Sequence, residues 1–258
     1  MPSRDLVPRF IIGGAPRSGT TFLCHALERH PEVYIARPYI PEPKVFMTEA
    51  AGPADYRARY RRFFADAPAR AALGEKSSAY LESAEACARI GETLEGVRLI
   101  FLVREPVARA YSNWLRTRNN GFETLPFEEA VELEGRRPSP LPPEQAYARP
   151  FDYLVRGRYD VFAARYYERF GRDAVSFFVH EELEARPAEV LGAIQRFIGV
   201  EPIDLDAGSI GLVNSVAETG PPLARETELR LRERMAPAVR RFQALTGLDL
   251  SAWGYDCG

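Results

Sequence analysis

Arg9-Phe10-Ile11-Ile12-Gly13-Gly14-Ala15-Pro16-Arg17-Ser18-Gly19-Thr20-Thr21-Phe22-Leu23-Cys24-His25-Ala26-Leu27 joins a short apolar run to a glycine-bounded loop and then to apolar residues at helical spacing. A brief apolar run closed by glycines is the pattern of a strand buried on both faces of a parallel sheet. The stretch from Thr20 has the helical period and ends before Pro31. The reading is therefore strand, glycine loop, helix.

Outward from this unit, Val33-Tyr34-Ile35 reads as a second short strand. The three prolines between Arg37 and Lys44 exclude regular pairing and require a loop. Residues 53–71 carry Tyr56, Tyr60, Phe63 and Phe64 among arginines, the pattern of an amphipathic helix with a solvated basic face. Residues 73–77 are expected to form a turn, and 84–94 a helix. Val97 to Arg104 is the most apolar run of the chain and predicts a central strand. Further helices are expected over 107–118, 159–170, 188–198 and 225–245, with a strand over 174–179. The last helix offers the pairs Glu226 with Arg230 and Glu228 with Arg232. The proline-rich stretch 135–150 predicts a long loop. Alternating strands and helices imply βαβ units: an α/β fold, a P-loop-type three-layer sandwich whose central parallel sheet has helices on both faces. The length of 258 residues fits a single domain, 1–258.

Composition narrows the function. Apolar residues make up 46% and charged residues 27%, which predicts a packed core. With 34 Lys plus Arg against 36 Asp plus Glu, the net charge of -2 offers no general attraction for nucleic acid or an acidic membrane. Anion recognition must be local. Cys24, Cys87 and Cys257 are odd in number and widely spaced, so they fit free thiols rather than a disulfide framework or a zinc cluster. The polar start leads straight into a strand and no apolar run approaches a bilayer span. A soluble cytoplasmic enzyme is the expectation; the sequence is silent on oligomeric state.

A glycine loop between strand and helix presents backbone N–H groups and the positive end of a helix dipole to an anion. Gly14 and Gly19 have the spacing of a nucleoside triphosphate loop, but Thr20 stands where that motif requires lysine. The strand 97–104 ends in Arg104-Glu105, without an aspartate to hold magnesium. A P-loop phosphotransferase and a non-catalytic nucleotide-binding module remain alternatives. A donor with fewer charges would need no metal, and Arg17 can supply the cation.

Pro16-Arg17-Ser18-Gly19-Thr20-Thr21-Phe22-Leu23 resembles the 5'-phosphosulfate loop of sulfotransferases that use 3'-phosphoadenosine 5'-phosphosulfate (PAPS). Residues 98–114 resemble the same family's 3'-phosphate motif, in which an arginine closing the strand and a helix serine clamp the phosphate; the matching residues are Arg104 and Ser112. The resemblance runs from Phe10 to about Phe197 and is closest to the heparan-type and bacterial branch. It implies sulfuryl transfer from PAPS, with 3'-phosphoadenosine 5'-phosphate (PAP) as product and no metal ion. The acceptor would be a hydroxyl, or as second choice an amine, of a small or carbohydrate-containing molecule.

Sulfuryl transfer needs a base for the acceptor's proton and cations for the departing oxygen. Pro41-Glu42-Pro43-Lys44 is similar to the family's lysine-glutamate-proline segment and implies Glu42 as the base, with Pro41 replacing the family's lysine. Glu75-Lys76-Ser77 resembles a segment lying beside the donor sulfate and implies Lys76 as a second cation beside Arg17. The donor would then be held by Arg17, Ser18, Gly19, Thr20, Thr21, Arg104 and Ser112. Tyr153 to Tyr159 resembles a further family segment through which Arg156 or Tyr159 could line the cleft. His30 is read as structural, and His25 and His180 do not resemble a catalytic histidine. The family's nucleotide-covering loop corresponds to 214–222, which has no lysine or arginine, with Arg225 nearby. The 138–150 loop and the aromatic 56–64 segment are candidate walls for an acceptor.

Overall fold

The structure, a computed structural model, describes residues 5–210 and 220–255. It divides into two compact units, Met1–Val103 with Arg165–Asn214, and Arg104–Ala164 with Ser215–Gly258.

The first unit is built on five strands, β1 (Phe10–Gly14), β2 (Val33–Ile35), β3 (Ala72–Lys76), β4 (Arg98–Val103) and β5 (Val175–Val179). Every neighbouring pair is parallel, in the order β2-β3-β1-β4-β5. β1 is buried along its whole length, with Ile12 in register with Lys76 on one side and Ile100 on the other. The chain leaves β1 towards β2 on one side and leaves its neighbour β4 towards β5 on the other. Strand ends that part in this way open a crevice for ligands.

β3 corrects the turn expected at 73–77. Glu75 and Lys76 interrupt the apolar pattern, yet both are buried because each finds polar partners. Gly74 supplies the room: a Cβ there would stand 2.1 Å from the ring of Phe10.

The helices are α1 (Thr20–Leu27), α2 (Pro53–Tyr60), α3 (Ala84–Thr93), α4 (Pro106–Asn119), α5 (Phe127–Glu132), α6 (Tyr159–Phe170), α7 (His180–Ala185), α8 (Pro187–Ile198) and α9 (Arg225–Thr246). On one face of the sheet Phe10, Ile12, Ile100 and Leu102 pack with Leu23 and Leu27 of α1 and Leu191 and Ile194 of α8. On the other, Phe101 meets Tyr166 of α6 at 4.6 Å and Phe177 at 5.1 Å. The alternation of Ile100, Phe101 and Leu102 thus feeds two cores, the expected central parallel sheet between helices. Each such side chain, fully buried, contributes about 1.5–3 kcal/mol.

The helix expected over 53–71 stops at Tyr60 and continues only as a 3-10 turn, Arg61–Phe63. Short α5 and α7 were not legible as helices, and the proline-rich stretch contains a 3-10 turn at Pro143–Ala148. Tyr56, Tyr60, Phe63 and Phe64 are all buried, and Tyr56 and Tyr60 pack on Phe46 at 5.1 and 5.7 Å. This corrects their reading as an acceptor wall: their rings are spent on the core.

In the second unit α4 starts at a proline and is capped by Glu105, whose carboxylate accepts from the amides of Val107 at 3.1 Å and Ala108 at 2.6 Å. Phe242 of α9 stacks with Trp253 at 6.4 Å. The Glu228–Arg232 pair forms at 3.1 Å, whereas Arg230 reaches Glu132 of α5 at 2.7 Å rather than Glu226. Among the described residues no helix is long and apolar enough to cross a membrane.

Candidate active site

The glycine loop leaves β1 and enters α1, and its shape is local in origin. Gly19, the N-cap of α1, has φ 84, a left-handed conformation that glycine adopts without strain. A Cβ at this position would also lie 2.9 Å from Nδ1 of His180, the first residue of α7, so the histidine ring backs the loop at close range. Arg17 has φ 71, which costs a residue with a side chain on the order of 1–3 kcal/mol and is found where the surroundings hold it. The first amides of α1 have no partner within the helix.

Ser18 is fully buried, and among the described residues its Oγ has no hydrogen-bond partner. A buried hydroxyl left without a partner costs about 1–3 kcal/mol. A phosphate or sulfate oxygen in the loop would accept its proton. The residues present therefore fit the anion that the sequence implies.

Around the loop the fold assembles three of the expected residues. Lys76, the last residue of β3, is buried, and its Nζ donates to Thr21 Oγ1 at 3.2 Å and lies 3.0 Å from Glu42 Oε1. Glu42 also accepts from Ser78, through the backbone amide at 3.2 Å and the hydroxyl at 2.9 Å. Lys44 Nζ stands farther off, at 4.0 Å. The ammonium beside Glu42 is thus supplied most closely by Lys76, three-dimensionally adjacent though 34 residues away in the chain.

Beneath Glu42 lies a carboxyl that the sequence did not single out. Glu75 is fully buried and accepts from the hydroxyls of Ser77 at 2.6 Å, Tyr80 at 2.7 Å and Tyr60. Burial pushes its pKa up to about 7, the three hydroxyls opposing and the charge of Glu42 reinforcing the rise. The only signal in the sequence was Glu75 and Ser77 at strand spacing, which places their side chains on the same face. Ser78 was likewise legible as a residue but not as a partner of Glu42.

Arg104 and Ser112 belong to the second unit. Arg104 is partly exposed, and its carbonyl accepts from the hydroxyl of Tyr159 at 3.0 Å; Ser112 is buried on α4. Arg156 is buried and donates to Ala148 O at 3.2 Å. The 214–219 part of the nucleotide-covering segment lies outside the described residues.

His30 has the structural role expected of it: Nδ1 accepts from the amide of Glu32 at 3.1 Å, which leaves the proton on Nε2 to face the carbonyl of Glu201 at 2.9 Å. Cys24 and Cys87 are free and buried, and burial pushes their thiols up to about 12 and about 11, far from reactive thiolates. Cys257 lies outside the described residues.

Fold and site together define a parallel α/β protein with a glycine loop beside a buried lysine paired with a partly exposed glutamate. No family model matches the chain. It is 28% identical to human heparan sulfate glucosamine 3-O-sulfotransferase 3B1 over 275 aligned residues, covering 97% of this chain and 65% of that enzyme. A sulfotransferase structure from Alicyclobacillus acidocaldarius superimposes with a TM-score of 0.78 at 27% identity, covering 96% of this chain and 99% of the other. Mouse sulfotransferase SULT7A1 complexed with PAP matches in fold alone, with a TM-score of 0.51 and 17% identity over 81% of this chain and 64% of that one. The chain is thus similar to sulfotransferases in both sequence and fold. It spans less than two thirds of the length of the curated relatives it matches.

Proposed function

We propose that this protein transfers the sulfuryl group of PAPS to a hydroxyl, or as second choice an amine, of a small-molecule or carbohydrate-containing acceptor by in-line displacement. Both units would form one sulfotransferase domain, 1–258, in keeping with the 96% of this chain that the bacterial structure matches. The observation that carries the reading is the position of Lys76 Nζ within reach of both Thr21 Oγ1 and Glu42 Oε1. It ties the anion loop to a carboxylate able to take a proton.

In this reading Arg17, Ser18, Gly19, Thr20 and Thr21 hold the 5'-phosphosulfate, and Arg104 and Ser112 hold the 3'-phosphate. Glu42 takes the acceptor's proton as the new S–O bond forms. The bond from sulfur to the bridging oxygen breaks, and its electrons remain on the phosphate of PAP. Arg17 and Lys76 offset that charge, while the two donors of Ser78 hold the carboxylate in place when Lys76 turns to the sulfate. The acceptor class follows the relative that acts on heparan sulfate glucosamine. A cytoplasmic setting is part of the proposal, and so is a reaction without metal, the latter because Thr20 stands where a magnesium-dependent loop carries lysine.

Calorimetric titration tests the donor: PAP should bind, and ATP with magnesium should bind far more weakly. Preference for ATP with magnesium refutes the reading.

A further inference from the structure

We infer that Glu75 is a positioning residue for the loop that carries Glu42, acting through the hydroxyls of Ser77 and Tyr80. The inference deepens the proposed function and rests on its assignment of Glu42. Glu75 Oε1 accepts from Ser77 Oγ at 2.6 Å and from Tyr80 OH at 2.7 Å. Each of those oxygens accepts in turn from a backbone amide of the Glu42 loop: Ser77 Oγ from Lys44 N at 2.8 Å, and Tyr80 OH from Phe46 N at 3.2 Å. One buried carboxyl oxygen thus fixes the rotors of two hydroxyls, leaving their lone pairs to two amides that follow Glu42 by two and four residues.

The loop needs such support. Residues 36–44 form no helix or strand, and Lys44 has φ 49, a left-handed conformation unfavourable for a residue with a side chain. The 3-10 turn Val45–Met47 follows at once. Phe46 is fully buried against Tyr60 and Tyr80, so the far end of the loop is fixed by packing and the near end by Ser78 on Glu42. Between them, the Ser77 hydroxyl, itself bound to Glu75, holds the amide of the strained residue. Glu75 does not touch the reacting atoms in this account. An amide oxygen at the same place would accept the same two bonds, whereas Ala would accept neither.

The test compares Glu75→Ala, Glu75→Gln, Ser77→Ala, Tyr80→Phe and the control Tyr60→Phe, which breaks a bond to Glu75 Oε2 without touching either amide's acceptor. Two readouts are taken: hydrogen exchange at the Lys44 and Phe46 amides, and kcat beside PAP affinity. Glu75→Ala should speed exchange at both amides about tenfold and lower kcat about tenfold, with PAP affinity within about twofold. Glu75→Gln should restore both. Ser77→Ala should act on Lys44 alone and Tyr80→Phe on Phe46 alone, so the test survives a Glu75→Ala chain that does not fold. Unchanged exchange in Ser77→Ala and Tyr80→Phe, or a Tyr60→Phe defect equal to theirs, overturns the proposal. If the unaltered protein transfers no sulfuryl group, the proposed function fails, while the exchange pattern still decides the positioning role.

Discussion

Glu75 in the first unit and Glu123 in the second are both buried carboxyls held by several donors, yet their pKa values move in opposite directions. Among the described residues Glu75 accepts from hydroxyls alone, and burial carries its pKa up to about 7. For Glu123 burial again pushes upward, but the Arg137 guanidinium at 2.9 and 2.6 Å, the Tyr153 hydroxyl at 2.5 Å and the Leu125 amide outweigh it, and the carboxyl ends below its ordinary range. A cation in bidentate contact decides the difference, because hydroxyls alone do not replace the hydration a carboxylate loses. Glu42 shares features with each: an ammonium at 3.0 Å, two donors from Ser78 and partial exposure.

The sharpest way to break the comparison is at Glu42, the carboxylate expected to do chemistry. Glu42→Gln should lower kcat by about 100-fold or more, the usual contribution of a general base, and leave PAP binding intact by calorimetry. An active variant would put Glu42 with Glu123, as a structural carboxylate.

The next effect tests Glu75 through pH. A carboxyl whose folded pKa is raised binds more protons in the folded than in the unfolded chain between about 4.5 and 7. Its contribution is therefore present below the unfolded value, is lost as pH rises through 7, and is flat above that. The lost stability should approach about 3 kcal/mol, read from urea unfolding at pH 5 and pH 8. Glu75→Gln should remove that slope; an unchanged slope in the variant would mean that another group carries it.

Arg137→Leu converts Glu123 into a carboxyl of the Glu75 kind. It should cost about 2 kcal/mol at pH 8, less than a wholly buried pair because the Arg137 side chain is 18% exposed, and less at pH 5, where Glu123 can take a proton. A loss independent of pH would show that Arg137 acts by packing on Phe151, which it overlies at 4.0 Å. The smallest effect is expected at Arg104, where Arg104→Ala should weaken PAP binding about tenfold without affecting the unfolding midpoint.

The legibility of the chain follows the same division between local and distant causes. β1, the glycine loop and α1 were readable because strand burial, turn geometry and helical period are properties of neighbouring residues. β3 was not, since its charged end looks unfit for a sheet until its partners are seen. The alternation at 74–78 contained Glu75, Lys76, Ser77 and Ser78 without stating that Lys76 and Ser78 meet Glu42, while Glu75 binds the Ser77 and Tyr80 hydroxyls that accept from the Lys44 and Phe46 amides.

The sequence by itself determined the parallel α/β framework, the glycine loop with its missing lysine, and the residue types that the proposed reaction would use. Only the tertiary structure decided which lysine meets Glu42, that Ser18 is buried with a hydroxyl unmatched among the described residues, and that Glu75 is fully buried against the hydroxyls of Tyr60 and Tyr80. The physical reason is that ion pairing and desolvation depend on distance in space, and strands β1 and β3 bring together side chains that the chain itself keeps tens of residues apart.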